Sequence, residues 1–192
     1  MSGGSLRSSL VRLLKEAKET KEVSLLRRLK VLLSTFFFTG HFPKCPGTAA
    51  SAAAFLIFWF TITRLIPALI TAPYYLAFVI KITTGAFIIC LIISIWLSPW
   101  AVEYFGRSDP RQFVIDEAAG MFLVLVFVPL NFFTSFVAFG LFRLFDITKP
   151  WPIRRLEKLP ARFALVADDL LAAIYAIVCY LIVMFIFFLI SL

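Results

Sequence analysis

Residues 111–146 read RQFVIDEAAGMFLVLVFVPLNFFTSFVAFGLFRLFD. Two apolar legs flank Pro129-Leu130-Asn131, and proline and asparagine favour a tight turn there. The legs are therefore expected to fold back as an antiparallel hairpin. Within this stretch carboxylates stand at the open mouth: Asp116 and Glu117 on the first leg, Asp146 on the second. A carboxylate at the edge of an apolar span is costly unless it is paired, solvated or bound to a cation. The hairpin thus marks one side of the molecule, the mouth side, from which the rest of the chain can be threaded.

The chain has 192 residues, 61% of them hydrophobic and 23 of them Phe. That is more apolar surface than a soluble domain of this size can bury. The expected fold class is all-α, an integral membrane helical bundle. About 20 apolar residues cross a ~30 Å hydrocarbon core. Candidate spans are 49–66, 74–97, 111–128, 131–145 and 168–191, giving four to five spans with the fourth one short. Lys81 inside the second can snorkel to the interface. Cys45, Cys90 and Cys179 have no metal-ligand spacing and read as packing residues. The first 30 residues are charged and lack a continuous apolar core, so no cleavable signal peptide is expected.

Threading the spans puts all cations except Arg64 and Lys81 on the mouth side, 17 of 19. The positive-inside rule then makes that side the cytoplasm, with the N-terminus there too. This topology, rather than nucleic acid, accounts for the net charge of +8. All 11 acidic residues fall on the same side. Acids contribute little to topology, so their clustering calls for another cause, and a site is one. Residues 1–35 read as a separate extension. Leu6, Leu10, Leu13, Leu14, Ala17, Leu25, Leu26 and Leu29 keep near-helical spacing among lysines and arginines. That pattern suits a basic amphipathic helix on an anionic leaflet, ahead of a membrane domain over 36–192.

Four stretches carry chemistry. Residues 142–154, FRLFDITKPWPIR, combine Asp146 with Arg143, Lys149 and Arg154 in a turn closed by two prolines. A cation-binding acid beside phosphate-binding cations is what phosphoryl chemistry needs. A juxtamembrane basic loop with one salt-bridged Asp gives the same pattern. Asp116-Glu117 precede Ala118-Ala119-Gly120, small residues that allow close helix approach and would press the acids against Asp146. Asp168-Asp169 are read as opening the last helix, where one Asp would suffice as a cap. Residues 40–48, GHFPKCPGT, enter the first span. Free N–H groups at a helix start bind anions, Gly47 would let a phosphate approach, and Thr48 could donate its hydroxyl.

His41 is the single histidine, so phosphatase mechanisms needing two histidines are excluded. Its expected role is structural or an accessory phosphate contact. No Asp-x-Asp-x-Thr motif is present. Metal-assisted attack by water remains. A lipid phosphotransferase would need similar acids, but its Asp-Gly-x-x-Ala-Arg run is absent. A cation- or proton-coupled transporter would place polar groups near the membrane midplane, whereas these acids hug one edge.

The chain resembles the phosphatidylglycerophosphatase A family, bacterial inner-membrane lipid phosphatases. The resemblance rests on Pro46-Gly47-Thr48 with Ser51, Ile115-Asp116-Glu117 with Gly120, the run from Phe142 to Asp146 with Lys149-Pro150-Trp151-Pro152-Ile153, and Asp168-Asp169. These pieces occur in the family's order and span roughly residues 36–176. The family usually has glycines shortly before the Asp-Asp pair; here 160–165 read PARFAL. The resemblance implies Mg²⁺-dependent hydrolysis of phosphatidylglycerophosphate to phosphatidylglycerol and phosphate, on a phospholipid in the cytoplasmic leaflet. In that reading Asp116, Glu117, Asp146, Asp168 and Asp169 form the metal and catalytic site. Arg143, Lys149 and Arg154 hold phosphate, helped by Gly47, Thr48 and His41. Metal count, general base and assembly into a homo-oligomer stay open.

Overall fold

The computed structural model describes residues 23–65, 72–128, 130–156 and 160–191, with side chains described except at 72, 73, 154, 161, 162 and 164. Among the described residues all regular structure is helical, and the expected all-α class holds. Helix α1 covers residues 23–34 and leads to a 3-10 turn, Thr39–His41. Helix α2, Pro46–Phe60, starts with proline in its first turn, where the missing N–H is not needed, and runs on through a π-helical turn, Thr61–Leu65. Then come α3 (Ala72–Phe105), α4 (Ile115–Phe127), α5 (Phe132–Thr148), the short α6 (Ile153–Leu156) and α7 (Ala161–Ile190).

Three segments are long and apolar enough to cross a membrane: Pro46–Leu65, Tyr74–Phe105 and Leu165–Ile190. The expected hairpin is present as α4 and α5, its first leg shorter than expected and its second longer, about 20 and 26 Å by the helix rise. Asn131 caps α5, its side chain accepting from the N–H groups of Phe133 at 2.9 Å and Thr134 at 3.3 Å. Beside the turn, Asn131, Phe132 and Phe133 are exposed. Val128 and Leu130 border a small apolar cavity with Leu76, Val79 and Thr83, and the Phe132 ring meets Trp59 at 5.4 Å.

Helix α4 is the hub, packing on α2, α3, α5 and α7. Ala118, Ala119, Met121 and Val124 are fully buried there. The outward faces of α3 and α7 are apolar, as at Ile88, Ile89 and Ile92 and along Leu181–Ile190, which suits lipid rather than water.

Several expected boundaries shift. Helix α4 begins at Ile115 rather than 111, leaving residues 106–114 as a loop. Helix α3 runs on past 97 to Phe105, with Pro99 inside it. The larger correction is at α7. It starts at Ala161, so Asp168 and Asp169 lie two turns inside the helix and do not cap it. The residues before the pair, Ala161 to Ala167, include no glycine or proline and so continue the helix backwards. Of the amphipathic extension expected over 1–35, residues 1–22 lie outside the described residues, while 23–34 are helical.

Candidate active site

A cavity of about 1020 Å³ opens where the starts of α4 and α7 meet the end of α5 and the α3–α4 loop. All five expected carboxylates line it, together with Arg143 and Lys149. The tight cluster within it is smaller. Carboxylate oxygens of Asp116, Glu117 and Asp169 lie within 4.8 Å of one another. Asp116 and Asp169 are buried and Glu117 half-buried. Asp116 Oδ1 accepts the Glu117 N–H at 3.1 Å. Three carboxylates packed this closely in a protein interior cannot all stay charged unless a proton or a cation is held among them.

Gly120 is what brings Asp169 in. A Cβ there would stand 2.8 Å from two ring carbons of the buried Phe142 and 3.3 Å from the Asp169 carbonyl oxygen. Its absence lets α4 seat against α5 and α7 together. The small-residue run, expected to press the acids against Asp146, instead seats Gly120 against Phe142 and the Asp169 carbonyl; Asp169 completes the tight trio, and Asp146 stands beside it in the same cavity.

Asp146 and Asp168 are each paired to a cation. Asp146 Oδ2 lies 2.7 Å from Arg143 Nη1, and Asp168 Oδ2 lies 2.6 Å from Lys149 Nζ. Arg143 also donates to Ser51 Oγ at 3.3 Å, and the Ser51 hydroxyl donates to the Gly47 carbonyl at 2.9 Å. Ser51 on α2 therefore anchors an α5 guanidinium, a role its place beside Pro46-Gly47-Thr48 did not reveal. Lys149 sits in the left-handed region, with φ 42°, and its N–H closes on the Phe145 carbonyl at 2.9 Å. Glycine is the usual residue at such a helix end. A lysine here keeps the turn and also reaches Asp168.

Gly47 differs from expectation in what approaches it. A Cβ there would overlap Glu117 Oε1 and lie 3.2 Å from Arg143 Nη2, so side chains of the site fill the space expected for a phosphate. Thr48 is half-buried, and neither residue lines the cavity. His41 is exposed and borders a separate shallow depression with Lys44 and Arg111. The Arg154 side chain lies outside the described residues. The cavity wall also includes Ser108, Asp109, Arg111 and Phe113, which the sequence reading did not single out as site residues. The signal available was Asp109-Pro110, a turn-forming pair just before the acidic helix.

Three polar atoms here are buried without a hydrogen-bond partner: Glu117 Oε2, Asp168 Oδ1 and Arg143 Nε. Orphaned carboxylate oxygens beside an all-oxygen donor trio fit a hard divalent cation. Oxygen donors for such a cation next to anchored cations for phosphate are the pairing that phosphoryl transfer requires. Their position at one end of an apolar helical bundle puts the chain among membrane-associated phosphatases.

Comparison with known proteins makes this specific. The sequence profile described as phosphatidylglycerophosphatase A matches residues 32–184, and the chain belongs to that family. A Haemophilus influenzae phosphatidylglycerophosphatase A is 33% identical over 165 residues, covering 85% of this chain and 93% of that protein. An Escherichia coli protein of the same name is 32% identical over 145 residues, covering 74% and 76%. A Bacteroides thetaiotaomicron protein provisionally named phosphatidylinositol-3-phosphatase is 33% identical over 154 residues, covering 78% and 90%. No solved structure matches the chain.

Proposed function

We propose that this enzyme hydrolyses the terminal phosphomonoester of phosphatidylglycerophosphate to phosphatidylglycerol and phosphate, with Mg²⁺, at the cytoplasmic face of the bacterial inner membrane. The observation that carries the chemistry is the trio Asp116, Glu117 and Asp169, whose oxygens lie within 4.8 Å of one another in a cavity shared with Arg143 and Lys149. Family membership carries the substrate.

Asp116, Glu117 and Asp169 would hold the cation, and Asp146 and Asp168 border it. A divalent cation bound there supplies neutralisation of the phosphate's negative charge. Arg143 and Lys149 hold the phosphate oxygens, Arg143 kept in place by Ser51 and Asp146. We assign to Asp168 the proton of the attacking water. Lys149 fixes its Oδ2, while Oδ1 is buried and unpartnered. As the water oxygen bonds to phosphorus, the bond from phosphorus to the glycerol oxygen breaks. The electron pair stays on that oxygen, which takes a proton from solvent water as phosphatidylglycerol departs, and Asp168 returns its proton to solvent.

Positive-inside asymmetry supports the cytoplasmic face. The same asymmetry supports the basic extension at the N-terminus as lying on that leaflet, while Ser34 and Thr35 at its end are already buried in the bundle. Both names carried by the relatives describe lipids in which a phosphomonoester sits on an alcohol already joined to diacylglycerol through a phosphodiester. Phosphatidylinositol 3-phosphate is therefore the second substrate to test.

The test is phosphate release from each lipid in detergent, with Mg²⁺ or with EDTA, for wild type and Asp169→Asn. Release from phosphatidylglycerophosphate that needs Mg²⁺ and falls at least about 100-fold in the variant is expected. Equal release in EDTA, or an unaffected variant, would sink the metal assignment. Release from the inositol lipid alone would replace the substrate.

A further inference from the structure

Two cations next to the site are not tied to acids. Arg143 and Lys149 are paired with Asp146 and Asp168, but among the described residues neither Lys44 nor Arg111 forms a salt bridge. Arg111 lines the main cavity and two smaller depressions, of about 320 and 190 Å³, and Lys44 lines both depressions. The larger depression shares Asp109, Phe113 and Glu117 with the main cavity, so the two adjoin.

The loop bearing Arg111 is fixed from both sides. The Phe113 N–H bonds the Pro110 carbonyl at 2.9 Å, and the Val114 N–H bonds the Ser34 carbonyl at 3.0 Å. The Gln112 carbonyl is packed onto Gly40 so closely that a Cβ there would overlap it. Pro110, Phe113 and Val114 are buried. Arg111 is therefore presented at a set place. Beyond Lys44 the surface turns apolar, with Phe38 and Phe42 both exposed.

We infer that Lys44 and Arg111 form a second anion subsite, for the phosphodiester of the lipid substrate. The inference rests on the function proposed above. Lys44 and Arg111 line one depression with the exposed Phe42 and the other with Asp109 and with Glu117 of the carboxylate trio. A lipid with two phosphates offers groups to match: acyl chains, a phosphodiester, a spacer alcohol with a free hydroxyl, and the phosphomonoester. Asp109 borders both cavities and accepts from the spacer hydroxyl. Both side chains are exposed at the edge of these depressions, where a phosphodiester can take charge-assisted hydrogen bonds from two cations at once. Phosphatidic acid, whose single phosphate adjoins its acyl chains, cannot fill both subsites. The pair is thus a specificity determinant that favours lipids carrying a diester as well as a monoester.

The test uses the full chain in neutral-detergent micelles free of other anionic lipid. Wild type, Arg111→Gln and Lys44→Gln are compared on phosphatidylglycerophosphate for KM and kcat separately. Phosphatidylglycerol, which has the diester but no monoester, is measured as a competitive inhibitor. KM and the inhibition constant should rise together, on the order of tenfold for each variant, with kcat little changed. Arg111→Lys should recover part of the loss. A fall in kcat with KM and inhibition unmoved would make the residues structural and overturn the inference. Variants that match wild type in neutral micelles, and separate from it only when another anionic lipid is mixed in, would show that the cations serve neighbouring lipid; that also overturns it. Folded wild type inactive on phosphatidylglycerophosphate is a different failure, since it removes the proposed function itself.

Discussion

At the residue scale, Lys149 joins a backbone constraint to a charge. Its left-handed conformation, φ 42°, costs an L-residue roughly 1 kcal/mol that glycine would not incur. Its ammonium holds Asp168 at 2.6 Å. Lys149→Gly separates the two roles. Backbone relief of about 1 kcal/mol offsets only part of the cost of leaving the buried Asp168 without its partner, so the melting temperature should fall by a few degrees. Phosphate release should fall on the order of 100-fold. Thermal unfolding and turnover measured on the same preparation decide it, and activity retained by the Lys149→Gly variant would remove Lys149 from the site. The acids themselves were legible in the sequence because charge beside apolar runs is conspicuous. Ser51 was not, because its hydrogen bond to Arg143 joins positions 92 apart in the chain.

At the element scale, the site depends on how closely α4 approaches α5 and α7. Gly120 sets that approach, since any Cβ would meet the Phe142 ring at 2.8 Å. Phe142 is fully buried and has little room to yield. Gly120→Ala should therefore push α4 away from α5, and by less from α7 where the Cβ would stand 3.3 Å from the Asp169 carbonyl, destabilise the protein by about 1–3 kcal/mol, and weaken Mg²⁺ activation more than a stability loss explains. The midpoint of a Mg²⁺ titration of activity, taken well below the melting temperature, is the measurement; an unchanged midpoint would show that the trio tolerates the shift. The hairpin was readable because Pro129 and Asn131 punctuate two apolar runs. The start of α7 was misplaced because Asp is a good helix cap, and the cap reading competed with a helix that continues back to Ala161.

At the scale of the whole molecule, the cavity and the cation-rich loops occupy one end of the bundle, and the apolar flanks of α3 and α7 run away from it. Orientation in the membrane then decides which leaflet supplies substrate. Cys45 gives a native probe, being exposed just before α2, whereas Cys90 is buried and Cys179 half-buried. A membrane-impermeant maleimide should label Cys45 in inverted inner-membrane vesicles and not in intact spheroplasts, with Cys45→Ser as the control. Labelling from the outside would reverse the topology and with it the leaflet.

The amino-acid sequence by itself determined that this chain is helical and apolar enough to sit in a membrane. It also determined that residues 111–146 turn back on themselves and that the acids gather on one side. Those properties follow from hydropathy, turn residues and the order of charges, which are all local along the chain. Only the tertiary structure decided that Asp116, Glu117 and Asp169 meet while Asp146 and Asp168 each take a cation, and that Arg111 reaches the cavity from a loop. Those outcomes depend on how each helix is rotated about its axis and how closely its neighbours seat, a matter of glycine contacts and buried rings between residues far apart in sequence.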